Sequence, residues 1–550
     1  MKDIFLNYFN NNKIIKNFIN HNKSQFKDFK KISSSKILIE FNNFKATHIP
    51  LSYISNILAK KLNSEIYGFF NYSLIVSNFN NSIFNNIKWI LSNFFSLNNF
   101  RIYRSFGVVN FLKPRKIFFY KKKSDDLFVK IYSKIRDKKD VINIKLGNIT
   151  VGDLLYDTYL KFYKEPTLDI KTIKFQNFLK DFINLYFFWV DYFKKNKITA
   201  IIGVHTPYSY GLVLRIGIKK KIPTFVTSSR FIYKLSSKMP YMHGNFRDYT
   251  KIFKKFNKYQ KIKAKKLAKE KLKLRFSGRS GAKVDLITTE ISSFHKKKYP
   301  TLIQKNNKIK ILIMPHDFFD AVHIWGKIFF SDFYEWLFFL GKMSNETKYD
   351  WYIKNRPDYS GKFKLYQSAT TAVIKNFIGK YPRINLLPNY YSHKQIINEK
   401  INYVLTCYGS AGLEYAYHKI PVINASVNNP HVKYNFNYNP KNVFEYEYLI
   451  KNLNNLKNKK LNFSKDKILE YYFMRHMYVD KNWLIDDLEK MIDSVGGYDG
   501  QWSYSFYDYW LKNFTENKHN IVIHTIKNFL KSGESAINIR HSEKFKNLLS

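Results

Sequence analysis

The 550-residue chain is 45% hydrophobic and 18% aromatic, enough apolar material for more than one core, which excludes a disordered chain and suggests two to four domains. A single cysteine, Cys407, excludes an intramolecular disulfide framework and fits a reducing compartment. The formal charge of +52 attracts anionic partners at long range, but the cations are mostly lysine, encoded like the abundant Asn, Ile, Phe and Tyr by AT-rich codons. With no zinc-finger spacing and no glycine–aromatic RNA-binding signature, no nucleic acid is expected.

Residues 1–35 read as a polar, Asn- and Lys-rich N-terminal segment, and Met1–Asn20 offers no continuous apolar core for a secretory signal. Lys36–Phe41 (KILIEF) reads as a first strand, Ile49–Leu62 as a helix and Glu65–Phe70 as a second strand. Ile144–Leu146 is a short strand and Val151–Tyr163 a helix, with Asp153 and Asp157 four apart and hence on one face. A long aromatic helix at Phe175–Lys194 leads into the strand Ala200–Val204, which ends at His205. A helix at Tyr210–Lys219 and a strand at Thr224–Thr227 follow.

The basic run Lys251–Lys273 is expected as a solvated, partly amphipathic helix, followed by the loop Arg275–Gly281. A second alternation then begins: strand Lys310–Met314, helix Asp332–Lys342, strand Trp351–Lys354, helix Ala369–Lys380, strand Ile384–Leu387 and a strand–helix–strand unit at 403–423. Ile324–Leu340 is the most apolar long stretch, but Lys327, Asp332 and Glu335 interrupt it. From Phe463 onward the pattern is helical. Strands alternating with helices predict an α/β protein of two Rossmann-like domains facing a cleft, with extra C-terminal helices. The boundaries read as 36–300 for the first domain, 301–462 for the second and 463–550 for the helical region.

The chemistry-bearing residues fall where strands end. In Tyr403–Ile423 an apolar strand meets Gly409-Ser410 and then a short helix. Gly409 is expected to allow a sharp turn and Ser410 to cap the helix, so that backbone N–H groups face an anion, with Glu414 in reach of a ribose hydroxyl. The same G-S-x-G pattern also occurs in domains that bind nothing. Cys407 beside it reads as a small buried residue, a catalytic thiol being the less favoured role. Lys354-Asn355-Arg356-Pro357 adds two cations at another strand end, which serve as phosphate ligands or as ordinary solvated charges. His316, Asp317, Asp320 and His323 crowd the loop after Lys310–Met314, and no metal-ligand spacing accompanies them. Asp320 and Asp332 have helix caps as their ordinary reading.

Four ordered motifs, H-x-F-x-D-A-x-H at 316–323, F-x-D-F-Y-E-W at 330–336, W-x-I-K-x-x-P at 351–357 and T-x-x-G-S-A-G-L-E-Y-A at 406–416, make the chain resemble bacterial capsule and surface-polysaccharide biosynthesis proteins. These are glycosyltransferase-like chains of the GT-B architecture. Weaker echoes lie at Gly152–Asp157 and at His205–Gly211, and the likeness covers roughly residues 36 to 455. It implies metal-independent transfer of a sugar from a nucleotide sugar, the co-substrate, to a glycan or lipid-linked acceptor, with no further cofactor.

On that resemblance the donor is held by Lys354, Arg356, Gly409, Ser410 and Glu414. Asp157 is the expected general base, and Asp153, His205, His316 and Asp320 are its alternates; Asp157 reads equally as an ordinary exposed helix carboxylate. Related sequences commonly have His-Pro where this chain has Arg356-Pro357, and arginine holds phosphate but does not readily donate a proton. The expected location is cytoplasmic, with peripheral contact at an anionic inner membrane. Rival uses are a polyol-phosphate transferase, a sugar-nucleotide epimerase and a non-catalytic basic scaffold for polyanions or membranes.

Overall fold

The computed structural model describes residues 2–26, 33–70, 83–114, 121–279, 291–357, 364–456, 464–542 and 548–549. Met1, residues 27–32 of the polar segment, Ser280 and Gly281 of the Arg275–Gly281 loop, and Phe463 lie outside them. The chain forms two compact units. The first is Met1–Thr158 with Ile170–His243 and Val479–Leu548, and the second is Tyr159–Asp169 with Gly244–Tyr478 and Leu549–Ser550. These divisions do not coincide with the boundaries at 300 and 462 read from the order of strands and helices.

The first unit is built on β1 (Ser35–Glu40), β2 (Glu65–Phe69) and β3 (Val108–Leu112), and, after a small ladder of β4 (Lys145–Leu146) with β5 (Ile149–Thr150), on β6 (Lys197–Gly203), β7 (Thr224–Ser228) and β8 (Phe231–Lys234). The sheet order is β3-β2-β1-β6-β7-β8, parallel except for β8. Consecutive residues Ile37, Leu38 and Ile39 are all 0% exposed, so both faces of β1 are covered, as a parallel sheet requires. The helix Ile173–Lys195, capped by Thr172 through its hydroxyl on the Phe175 N–H, buries Phe178, Phe182 and Trp189.

Two segments differ from their expected form. Residues 2–25, expected as a polar tail, form a helix (Lys2–Gln25) whose Ile15, Phe18 and Asn22 are buried. Their spacing of three and four puts them on one face, and the Phe18 ring stacks on Tyr507 at 4.0 Å between centroids. The C-terminal helices from Val479 also belong to this unit, where His519 Nδ1 bonds the Tyr53 hydroxyl at 2.9 Å.

The second unit has β9 (Lys310–Ile313), β10 (Asp350–Lys354), β11 (Ile384–Leu387), β12 (Tyr403–Thr406) and β13 (Val422–Asn424) in the order β11-β10-β9-β12-β13, all parallel. Both main sheets therefore run third-second-first-fourth-fifth, the doubly wound order, and the chain is an α/β protein of two Rossmann-like units. The basic run 251–273 is two helices, Tyr249–Lys254 and Lys258–Arg275, parted at Asn257, whose capping box with Gln260 starts a new helix. Both belong to the second unit, where the longer one buries Ala264, Ala268 and Leu272 and packs on the helix Lys465–Phe473.

Order reverses in such sheets between the first and fourth strands. In the first unit Glu40, the last residue of β1, bridges that point: its Oε2 accepts the Val204 N–H just past β6 at 2.9 Å. Burial raises the Glu40 carboxyl from 4.5 to about 7, against the opposing N–H bonds of Val204 and His205. The folded chain thus keeps a proton that the unfolded chain releases, so this site's stabilisation is complete below pH 4.5 and lost as pH rises through 7. Glu40→Gln, neutral at every pH and still an acceptor, should gain ~2–3 kcal/mol over the wild type at pH 8 and nothing at pH 4.5. Thermal denaturation at the two pH values measures this, and an equal shift at both would contradict a buried titrating carboxyl.

Candidate functional site

In the second unit the reversal lies between β9 and β12. Beyond β9 the chain leads to His316, whose ring stacks on Phe333 at 4.6 Å and 21°. Its Nε2 accepts from the Thr406 hydroxyl at 3.1 Å and from the Cys407 N–H at 3.3 Å, with the Tyr408 N–H at 3.5 Å. An accepting Nε2 assigns the ring proton to Nδ1. Burial, and then the Arg356 charge, lower its pKa from 6.5 to about 3. His316 is therefore a neutral imidazole at physiological pH and does not serve there as a cationic acid.

Arg356 follows β10 by two residues and is half-buried. Its backbone N–H is fixed by Asn355 Oδ1 at 2.9 Å. Burial disfavours its charge, while Asp317 and Asp320 favour it. Asp317 is buried and accepts from the Thr370 hydroxyl at 3.3 Å and the Phe319 N–H at 3.2 Å. Burial raises its carboxyl, and Arg356 opposes the rise. Asp320 is exposed and pairs with Lys161 at 2.9 Å rather than capping a helix. Asp332 is the cap, accepting the Glu335 N–H at 2.8 Å and the Thr167 hydroxyl at 2.6 Å. The ends of three strands thus bring His316, Asp320, Arg356 and the 406–410 turn together.

The turn differs from a simple anion cradle. The N–H groups of Cys407, Tyr408 and Gly409 already face His316 Nε2 or the Thr406 hydroxyl, the last at 3.3 Å. Gly409 has no left-handed backbone; it is needed for space, because a Cβ would lie 2.9 Å from Thr406 Oγ1 and 3.4 Å from His316 Cε1. Ser410 is exposed, but its side chain makes no capping bond to the short helix Ala411–Tyr417. Cys407 is fully buried, and its thiol pKa is raised well above its usual value by that burial.

Two expected donor ligands serve the interior instead. Glu414 is buried, with Oε1 held by Arg275 Nη2 at 2.5 Å and Oε2 lying 3.3 Å from His393 Nδ1. Burial alone would raise its carboxyl, but Arg275 and His393 hold it well below the carboxylate range. It is thus occupied and not presented to a ribose. Lys354 is 0% exposed and donates to the Asn355 carbonyl at 2.9 Å, with its charge felt at His393. It is neither a solvated cation nor a surface phosphate ligand.

Asp153, Asp157 and His205 belong to the first unit. Asp153 is a buried anchor: Arg215 Nη1 and Nη2 each donate to one of its oxygens at 2.5 Å. Asp157, expected as a base or an exposed carboxylate, is 2% exposed, and its charge acts on the same Arg215. His205 is exposed just beyond β6. Glu40, Arg275 and His393 escaped the sequence reading. A charged residue ending an apolar strand was the available signal for Glu40; no spacing announces the other two. Among the described residues no group of three or more His, Cys, Asp or Glu side chains is placed to hold a metal ion, and no helix is long and apolar enough to cross a membrane.

No protein-family model and no curated protein matches the chain. Among solved structures it is similar to a UDP-GlcNAc 2-epimerase from Neisseria meningitidis bound to UDP-GlcNAc (8% identity, 84% of this chain and 98% of that one, TM-score 0.23). A glycosyltransferase from Rickettsia africae matches at 11% identity over 88% and 100% of the two chains, with a TM-score of 0.25. A nitrogenase matches at 9% identity over 79% and 92%, with a TM-score of 0.22. Likeness at this level does not discriminate between reactions.

The buried position of Glu414 yields a direct test. Glu414→Ala leaves Arg275 without its carboxylate and should cost ~3–5 kcal/mol in stability, read as a lowered denaturant midpoint. An unchanged midpoint would restore Glu414 to the list of ligand-facing residues.

Proposed function

We propose that the chain is a nucleotide-sugar glycosyltransferase of capsule or other surface-polysaccharide biosynthesis, and that its second unit holds the donor at the β9/β12 reversal. The observation that supports this reading is the convergence of His316, Arg356 and the Gly409-Ser410 turn at the carboxyl ends of neighbouring strands. Open parallel sheets bind ligands at that place. Arg356 offers a planar fork for phosphate oxygens and the exposed Ser410 a hydroxyl donor.

In the transfer step the glycosidic bond to the nucleotide phosphate breaks as the acceptor hydroxyl attacks, and negative charge grows on the leaving phosphate. A fixed guanidinium stabilises that charge more in the transition state than in the ground state. Arginine cannot supply a proton, so Arg356 acts as an electrostatic clamp and not as an acid. His316 acts as a positioning residue that shapes the turn. Asp320, exposed and on the same loop as His316, is the base in this reading, taking the proton of the acceptor hydroxyl. The acceptor is a glycan or lipid-linked saccharide.

A thermal-shift panel of UDP, GDP, CDP and CMP tests the donor site. At least one nucleotide should raise the melting temperature of the wild type, and Arg356→Ala should weaken its binding about 10- to 100-fold, the range of a charge-assisted phosphate contact of ~1.5–3 kcal/mol. Indifference of the wild type to all four would remove the donor site, and with it the transferase reading.

A further inference from the structure

A second concentration of charge lies in the same unit, on residues that the donor site does not use. The helices Tyr249–Lys254, Lys258–Arg275 and Lys465–Phe473 border a half-open cavity of about 460 Å³ whose charged lining is Lys254, Lys261, Lys265, Lys433, Lys467 and Glu470, beside Thr250 and Phe253. Five lysines and one glutamate thus line one space. Glu470 already pairs with Lys467 at 2.9 Å, and Lys265 with the exposed Asp466 at 2.7 Å.

Two of the lysines are fixed by neutral acceptors: Lys261 Nζ donates to the Lys254 carbonyl at 3.1 Å and Lys433 Nζ to the Arg247 carbonyl at 2.8 Å. A carbonyl positions an ammonium without neutralising it, and each of these groups retains two further N–H donors. Lys261 and Lys265 lie four apart on one helix, where like charges repel. These five lysines come from three helices and a loop yet line one space, with Lys254, Lys433 and Lys467 exposed and Lys261 and Lys265 half-buried.

The geometry points to a binding site for a phosphate-bearing anion of high charge in this cavity, distinct from the donor crevice. Several converging point charges suit a multiply charged phosphate better than a single carboxylate, and the volume admits an oligophosphate-sized group. Free oligophosphate and the clustered headgroups of an anionic bilayer share this chemistry.

The test compares the wild type with Lys261→Gln/Lys265→Gln, with Lys254→Gln/Lys433→Gln, and with a control, Lys219→Gln/Lys220→Gln, which removes two exposed charges from the first unit. Each is titrated calorimetrically with sodium tripolyphosphate and co-sedimented with phosphatidylcholine vesicles with and without phosphatidylglycerol. The wild type and the control should bind alike, and each cavity variant that keeps the wild-type melting temperature should bind at least about 10-fold more weakly. A loss confined to tripolyphosphate identifies a free anion; a matching loss on phosphatidylglycerol vesicles identifies a bilayer. If the control weakens as much as the cavity variants, or if neither probe binds the wild type, the site does not exist and only the general +52 field remains.

Discussion

A parallel sheet leaves a gap where its winding reverses, because the chains leaving the first and fourth strands turn to opposite faces. Backbone N–H groups beyond the fourth strand then need acceptors in a place shielded from water. Both units meet this need with one side chain from beyond, or at the end of, the first strand. Glu40 accepts from Val204 in one unit, and His316 accepts from Cys407 in the other. Glu40 is buried and His316 half-buried, and loss of solvent suppresses the charged form of each, so that glutamate tends to stay protonated and histidine to stay neutral. The 406–410 turn depends on that contact: remove the His316 ring and Thr406, Cys407 and Tyr408 lose a shared acceptor.

The buried charges obey a complementary rule. An ion taken out of water is tolerated when its partner satisfies it fully, and among the described residues the buried carboxylates Asp153 and Glu414 both face arginine. This is why residues that look catalytic in a motif are structural. Gly152-Asp153 and the Glu414 of the 406–416 motif supply charge to the inside of their units, and the motif records a packing requirement as much as a chemical one.

Legibility in the sequence followed from how much of the local signal was self-sufficient. Strands buried on both faces, such as Lys310–Ile313 and Tyr403–Thr406, read as unbroken apolar runs, and the helix Tyr210–Lys219 was bounded to the residue. Val108–Leu112 was missed because it is an edge strand whose Val109 and Asn110 face outward, which breaks both the apolar run and the alternation. Phe231–Lys234 joins the sheet only as an antiparallel addition. The N-terminal helix was hidden by its composition, since Asn and Lys surround the few buried positions. Within the site, strand-end placement singled out His205, His316 and Lys354; His205 lies in the other unit and Lys354 is buried, while His316 lies beside the Gly409 turn and within the field of Arg356. The roles of Lys354 and Glu414 were not legible, because burial of a lysine or glutamate depends on partners such as Arg275 and His393 that lie far away in sequence.

Arginine identity adds one more step. In a chain whose cations are overwhelmingly lysine, an arginine at a buried position marks a need for the planar fork. Arg215 answers Asp153 with two parallel bonds, and Arg275 answers Glu414 through both Nε and Nη2. Both guanidiniums are matched to buried carboxylates and closed off. Arg356 is of the same kind but differently placed: of the two carboxylates that act on it, Asp317 is buried and Asp320 stands in solvent beside Lys161. Its charge is thus favoured by one carboxylate inside the protein and one at its surface. Burial still outweighs those two carboxylates and disfavours the charge, so in the proposed donor site a phosphate would supply the further anionic partner that a partly desolvated guanidinium lacks.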